Sequence, residues 1–245
     1  VKTPMLTGEQ DVLHRIELGT VPAGVYWHVY PAAYAPTSSN PRSKARLAWL
    51  DGSHGMFYAG DTAAAALWET ALRFASVSRG IVYTDQRHLQ NWMLGRLTLK
   101  VDVPVVDLRP PHRRAVVDAN SDLDAMWDVM LKTPNHEETH ALAARLMAQL
   151  NAAGYDTGTA MRWLSRQAGT ESVVLFFEPP MSSAWWSHEA SDIYRLDDPA
   201  GQEQIRIALA SQGLAWKGAP SGAGFELPPE EAPLAKMLPA VRETK

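Results

Sequence analysis

The segment His136-Glu137-Glu138-Thr139-His140 carries two histidines four residues apart with a glutamate between them. On a helix, positions i and i+4 share a face, so the two imidazoles could hold one metal ion while Glu137 activates a bound water. That is the chemistry of a zinc hydrolase. It needs a third protein ligand, and the extended pattern that would supply one just downstream is absent, Ala143 and Leu146 standing in that stretch. Glu171, Glu178 and His188 remain as ligands by distance alone. An ordinary reading competes: Thr133-Pro134 or Asn135 opens a helix, Glu138 closes a capping box, and the acidic pair complements the positive end of the helix dipole. The pair is then an exposed helix start, and no metal is expected. A second constellation lies in "FYAGDTAAAALWETAL", where Tyr58 ends one element and Glu69 sits between Trp68 and the Ala71-Leu72 pair. A carboxylate in so apolar a helix is partly buried and wants a charged or hydrogen-bonding partner. The plainer alternatives are a core-packing tyrosine and a solvated glutamate.

These side chains need elements to carry them. "GVYWHVY" (24 to 30) alternates aromatic and β-branched residues and reads as a strand, followed by a Pro-, Ser- and Asn-rich loop to residue 45. "GMFYAG" (55 to 60) reads as a second strand, and Asp61 or Thr62 caps a helix expected to run to Ser76. Residues 94 to 108 alternate Leu97, Leu99, Val101 and Val103 with polar partners, a half-buried strand ending near Pro104. Helices are expected over 121 to 131 and 136 to 153, the second stopped by Gly154. "ESVVLFFE" (171 to 178) is a continuous apolar run and reads as a buried strand. Beyond Glu178 the pattern weakens, and Gly218 to Lys245 reads as a tail or partner-covering arm. The irregular mixture points to an α+β fold, with an N-terminal segment 1 to 20, one domain over 21 to 200 and a C-terminal extension 201 to 245. The regular alternation of a doubly wound sheet is missing, as are both glycine-rich phosphate fingerprints.

Composition narrows the function classes. The chain has 245 residues, 46% of them hydrophobic, which suffices for an ordinary core. With no cysteine there are no disulfides, thiolate zinc sites or thiol nucleophiles. No apolar run reaches the roughly 18 residues of a membrane span and no signal architecture opens the chain, so a cytosolic protein is expected. A net charge of −4 argues against direct nucleic-acid binding, and the cationic stretch from Arg109 to Arg114 reads as a solvated loop. Val1 in place of methionine reads as a processed or excised start, which leaves open delivery into another cell as an effector.

The run from Tyr58 through Gly60, Asp61 and Thr62 to Trp68-Glu69 resembles the hallmark segment of the RES-domain family, the toxin half of bacterial RES-Xre toxin-antitoxin pairs. "AAGYDTGTAMRWLSRQ" (152 to 167) resembles the family's later motif and places Ser165 on its serine. "ESVVLFF" resembles its closing strand, and "THALAARL" the alanine-rich helix before the motif, which gives the His-Glu pair a structural home. The resemblance covers about residues 24 to 178, and the order and spacing of the motifs carry it.

The resemblance implies a fold related to ADP-ribosyltransferases, with small mixed or antiparallel sheets, and chemistry on NAD⁺ as substrate. The nicotinamide-ribose bond is cleaved and the ADP-ribosyl group passes to water, phosphate or a protein. Glu69 would stabilise the positive charge that builds on the ribose, Tyr58 would stack on nicotinamide or ribose, and Ser165 would bond a ribose hydroxyl, the carboxamide or a phosphate. One departure stands out: the family's first strand usually carries arginine, and here the context is Trp27-His28-Val29. Histidine lacks the fork that grips phosphate, yet diphtheria-toxin-like transferases use a His-Tyr-Glu triad, and His28, Tyr58 and Glu69 fall in that order. Arg46 stands near the family's Gly-Arg-Trp stretch and could hold the pyrophosphate, as could Arg162. Three readings follow: an NAD⁺-consuming toxin neutralised by a protein antitoxin, a catalytically weakened interaction module of the same fold, and a zinc hydrolase using His136, Glu137 and His140.

Overall fold

The computed structural model describes residues 17–117, 121, 124–125, 127, 129–130, 136–156 and 158–219. In chain order the elements are β1 (Gly19–Val21), β2 (Gly24–Pro31), β3 (Gly55–Gly60), α1 (Ala63–Glu69), β4 (Ser76–Ser78), β5 (Ile81–Asp85), β6 (Trp92–Leu99) and β7 (Val103–Asp107). They continue with α2 (Glu137–Ala152), β8 (Ala160–Leu164), β9 (Ser172–Glu178), β10 (Trp186–Ser187), β11 (Ile193–Arg195), α3 (Pro199–Ala210) and β12 (Ala215–Ala219). The fold is α+β, as the irregular element order implies.

The main sheet runs β1-β7-β8-β9-β3-β2-β6-β10, with β11 also on β6, and its pairs are antiparallel except β7 with β8. Its centre is split. β2 pairs with β6 along all eight residues and β3 with β9 along all six, but β2 and β3 meet only at Trp27 and Gly60. From that single pair the two half-sheets part, and the gap becomes the mouth of a cleft.

Both faces of the sheet are covered, which explains why β9 is apolar throughout instead of alternating. Val173, Leu175 and Phe177 face a large core with Leu67 and Trp68 of α1, Leu142 and Leu146 of α2, and Ile205 and Leu209 of α3. Val174 and Phe176 face a smaller core with Tyr26, Phe57 and Trp186.

Helix α1 starts where the sequence places it, because Thr62 accepts from Ala65 N at 3.1 Å and its hydroxyl also reaches the Glu171 carboxylate. Asp61 Oδ1 accepts from Ser172 N at 2.8 Å, tying the helix start to β9. The strand-to-helix turn requires glycine at position 60, since a Cβ there would lie 2.6 Å from Ala66 N and 2.7 Å from Thr62 O. The helix ends at Glu69, not Ser76: Thr70 leaves helical dihedrals and Leu72 N bonds Leu67 O at 2.8 Å, turning Leu72 into the core. Arg79 and Gly80, both with positive φ, then make the tight β4–β5 hairpin turn.

The strand expected over 94 to 108 is two strands. The turn from Lys100 to Asp102 separates β6 from β7, and Asp102 Oδ1 holds it to Ala23 N at 2.7 Å. Helix α2 matches its expectation, and Gly154, with φ of 80°, follows its end. The helix expected over 121 to 131 lies partly outside the described residues, and so does the tail expected from Gly218, whose first two residues belong to β12 (Ala215–Ala219). The expected boundary after residue 200 falls inside α3, whose Ile205, Ala208 and Leu209, spaced i, i+3 and i+4, are buried in the main core. β12 then adds in parallel to β5 to make a three-stranded sheet with β4. Residues 199–219 are therefore part of the packed fold and no extension to it, and the expected boundary after residue 20 likewise cuts β1, which pairs with β7.

Candidate active site

A cleft of about 660 Å³ opens at the split between β2 and β3 and is lined by His28, Arg46, Tyr58, Glu69, Arg73 and Trp163, among others. Glu69 is the last residue of α1, so the short helix delivers its carboxylate to the cleft while its other side is fixed in the core. One oxygen, Oε1, accepts from Ser165 Oγ at 2.8 Å and from Arg166 N at 3.2 Å. The charge of Glu69 acts on Arg46 and Arg73, opposing the burial that lowers the pKa of each guanidinium, and Arg166 adds a third positive charge nearby. The cleft thus combines one carboxylate with three arginines whose charges interact with it or with each other.

Tyr58 is half-buried, sets its ring edge-on to Trp163 at 6.3 Å, and donates its hydroxyl to Arg46 O at 3.1 Å. Burial pushes its phenol well above the usual tyrosine range. Its ring lines the cleft while its hydroxyl holds the loop that carries Arg46. Arg46 is 7% exposed and borders the cleft.

His28 stacks between Phe57, at 4.2 Å, and Tyr30, at 5.4 Å. Its Nδ1 lies 2.6 Å from Tyr58 O, and because a carbonyl only accepts, Nδ1 carries the proton. The side chain thus bridges the split where backbone pairing of β2 and β3 stops. Burial lowers its pKa to about 4, partly offset by that bond to Tyr58. At neutral pH it is uncharged, with Nε2 a lone-pair acceptor, so it can take a hydroxyl proton in a hydrogen bond but cannot neutralise phosphate.

Two expected residues take other places. Ser165 is 2% exposed, and its hydroxyl is spent on Glu69 and on Ala168 N at 3.3 Å, so it orients the carboxylate from beneath. Arg162 alternates with Trp163 along β8 and points to the opposite face, where it lies 3.6 Å from Asp61; it does not line the cleft. Sequence reasoning missed Arg73 and Arg166. The signals were present: Arg73 is four residues after Glu69, and Arg166 adjoins Ser165.

His136 is buried and His140 half-buried, so the pair is not an exposed helix start, and three of its ring nitrogens are engaged. His136 Nδ1 faces Lys44 O at 3.2 Å, while Nε2 accepts from Arg73 at 2.9 Å; His140 Nε2 donates to Ala45 O at 3.0 Å. Both atoms through which His136 could bind a metal are therefore occupied. Asn135 and the residues before it, the expected caps, lie outside the described residues, and His136 occupies the N-cap position without a side-chain cap bond. No cluster of three or more metal-ligating side chains occurs among the described residues.

A split, mixed sheet flanked by helices defines an α+β protein with its cleft at the split. Residues 13–192 match the RES domain, and the chain belongs to the RES-domain family. The fold is similar to one in the crystal structure of the M. tuberculosis MbcT-MbcA toxin-antitoxin complex, with a TM-score of 0.51 at 15% identity, covering 77% of this chain and 92% of that one. No curated protein matches the chain. Among the described residues no helix is long and apolar enough to cross a membrane.

Proposed function

We propose that the chain is an NAD⁺-consuming toxin that cleaves the nicotinamide-ribose bond and is neutralised by a protein antitoxin. The observation that carries the reading is the Glu69 carboxylate held at the cleft by Ser165 and Arg166 with Arg46 and Arg73 around it. As the glycosidic bond breaks, its electron pair leaves with nicotinamide and positive charge spreads over the ribose ring; Glu69 opposes that charge. Arg46, Arg73 and Arg166 serve the pyrophosphate. His28 accepts from a ribose hydroxyl, and Tyr58 presents its ring to the nicotinamide end. At the rim, Tyr34 and Phe74, 64% and 65% exposed, offer flat faces to a base. Water, phosphate or a protein nucleophile completes the transfer of ADP-ribose. Family membership and the toxin-antitoxin complex of the structural neighbour support the antitoxin partner.

A specific observation also favours a second reading, an interaction module with weakened catalysis: His28 is uncharged where the family resemblance calls for arginine. NAD⁺ loss and nicotinamide release separate the two. In Glu69→Gln, the amide oxygen still accepts from Ser165 and Arg166, so only the charge is lost. At about 4 Å and an effective dielectric of about 20, that charge is worth about 4 kcal/mol, or roughly a thousandfold in rate. Chelator-insensitive turnover that falls by this order in Glu69→Gln supports the enzyme. Turnover unchanged in Glu69→Gln refutes the assignment of the carboxylate. No turnover by the wild type, with or without phosphate, selects the interaction module.

A further inference from the structure

The motif that reads as a metal site faces the loop that carries Arg46. The first turn of α2 meets three of four consecutive residues of that loop. His136 Nδ1–H donates to Lys44 O at 3.2 Å and His140 Nε2–H to Ala45 O at 3.0 Å. Thr139 Oγ1 accepts from Leu47 N at 3.2 Å and donates to His136 O at 2.8 Å. The fourth group, Arg46 O, accepts from Tyr58 at 3.1 Å. Lys44 O, Arg46 O and Leu47 N are caught by side chains from outside the loop, and Ala45 O is shared between His140 and a turn bond from Ala48 N at 3.1 Å. Leu47 moreover has φ of 59°, a left-handed conformation that costs a leucine about 1 kcal/mol. Such a loop keeps its shape only while something outside it holds it. The free lone pair of His136 then takes Arg73 at 2.9 Å, so the same turn fixes a second arginine of the cleft.

We infer that His136, Thr139 and His140 are positioning residues: they clamp residues 44–47 so that Arg46 and Arg73 are set toward the cleft before ligand enters. The i, i+3, i+4 spacing that puts the three side chains on one helix face is the same spacing that makes the motif look like a zinc site. The face is used for carbonyls and an amide in place of an ion. What the two arginines grip rests on the NAD⁺ reading above; the clamp itself does not.

Two measurements on the full chain test it. Lys44 and Arg46 are trypsin sites, and cleavage at these two bonds, mapped by mass spectrometry, reports loop release whether or not the protein acts on NAD⁺. In Thr139→Val, which keeps the side-chain shape, and in His140→Ala, cleavage at these bonds rises about tenfold, the equivalent of one buried hydrogen bond. The KM for NAD⁺ rises by a similar factor while kcat stays within about twofold. His140→Gln, which returns a donor toward Ala45 O, restores both. Folded Thr139→Val and His140→Ala proteins with wild-type cleavage overturn the clamp. So does a loss of melting temperature that glutamine rescues without restoring protection. If the wild type turns over no NAD⁺, the reading of the cleft fails, and the trypsin comparison alone decides the clamp.

Discussion

The neutral, buried His28 predicts a defined acid sensitivity. Its pKa is 6.5 in an unfolded chain and about 4 in the fold. The fold therefore favours the uncharged ring, and between these values the unfolded state binds the extra proton. Stability from this group is fully present above pH 6.5 and is lost as pH falls toward 4. The full difference is worth about 3 kcal/mol, of which about 2 kcal/mol is gone at pH 5. That is a large share of the roughly 5–15 kcal/mol of a typical domain. His136 is held at about 4 as well, by burial and by Arg73 and Arg46, and contributes with the same sign. The perturbation is His28→Phe, which keeps the stacking on Phe57 and Tyr30 but removes the proton and the bond to Tyr58 O. At pH 7 the variant loses about 1–3 kcal/mol through the unpaired carbonyl. Urea unfolding at pH 7 and pH 5 then gives the decisive quantity, the loss on acidification, which is about 2 kcal/mol smaller in the variant. An equal loss in both proteins refutes the reasoning, because it would mean that His28 is charged in the fold or does not titrate differently there.

Ser165→Ala frees one side of Glu69 and strips Ala168 N of its acceptor. Nicotinamide release should fall about 10- to 100-fold in kcat, with KM within a few-fold and about 1–2 kcal/mol of stability lost; unchanged kcat removes Ser165 from the orienting role. Gly60→Ala forces a Cβ against the backbone at Ala66 N and Thr62 O, and thermal melting should show a loss of about 2 kcal/mol or more. A wild-type melting temperature would show that the turn can relax.

The parts of the fold legible in the sequence are those in which local signals agree. Gly55–Gly60, the Thr62 cap and the apolar β9 run each combine propensity, a boundary residue and burial on both faces. Alanine and leucine propensity predicts α1 too long because it says nothing of Leu72, which leaves the helix to fill the core. The signal for α3 is confined to Ile205, Ala208 and Leu209, which carry the spacing of one buried face amid otherwise weak patterning. The split in the sheet was not legible at all, since a missing strand pair between β2 and β3 depends on where β6 and β9 pull them. Of the expected residues, Tyr58, Glu69, Arg46 and His28 border the cleft, the ring of His28 packing on Phe57 of the smaller core. Ser165 meets the cleft only through Glu69, and Arg162 faces away because strand residues alternate. The histidine pair shows the limit of motif reading: i, i+4 spacing specifies a shared face and leaves open what that face meets.

The bond between Ser165 and Glu69 spans 96 residues, and that between Trp68 and Gln212, which ties the end of α1 to the turn after α3, spans 144. During synthesis the carboxylate thus leaves the ribosome long before the groups that orient it. The nascent chain must wait for β8, and then for α3, before the cleft has its final shape. A translation product stopped anywhere before residue 212 carries Glu69 without its full support. On the proposed toxin reading, this order of arrival delays activity until almost the entire described fold exists.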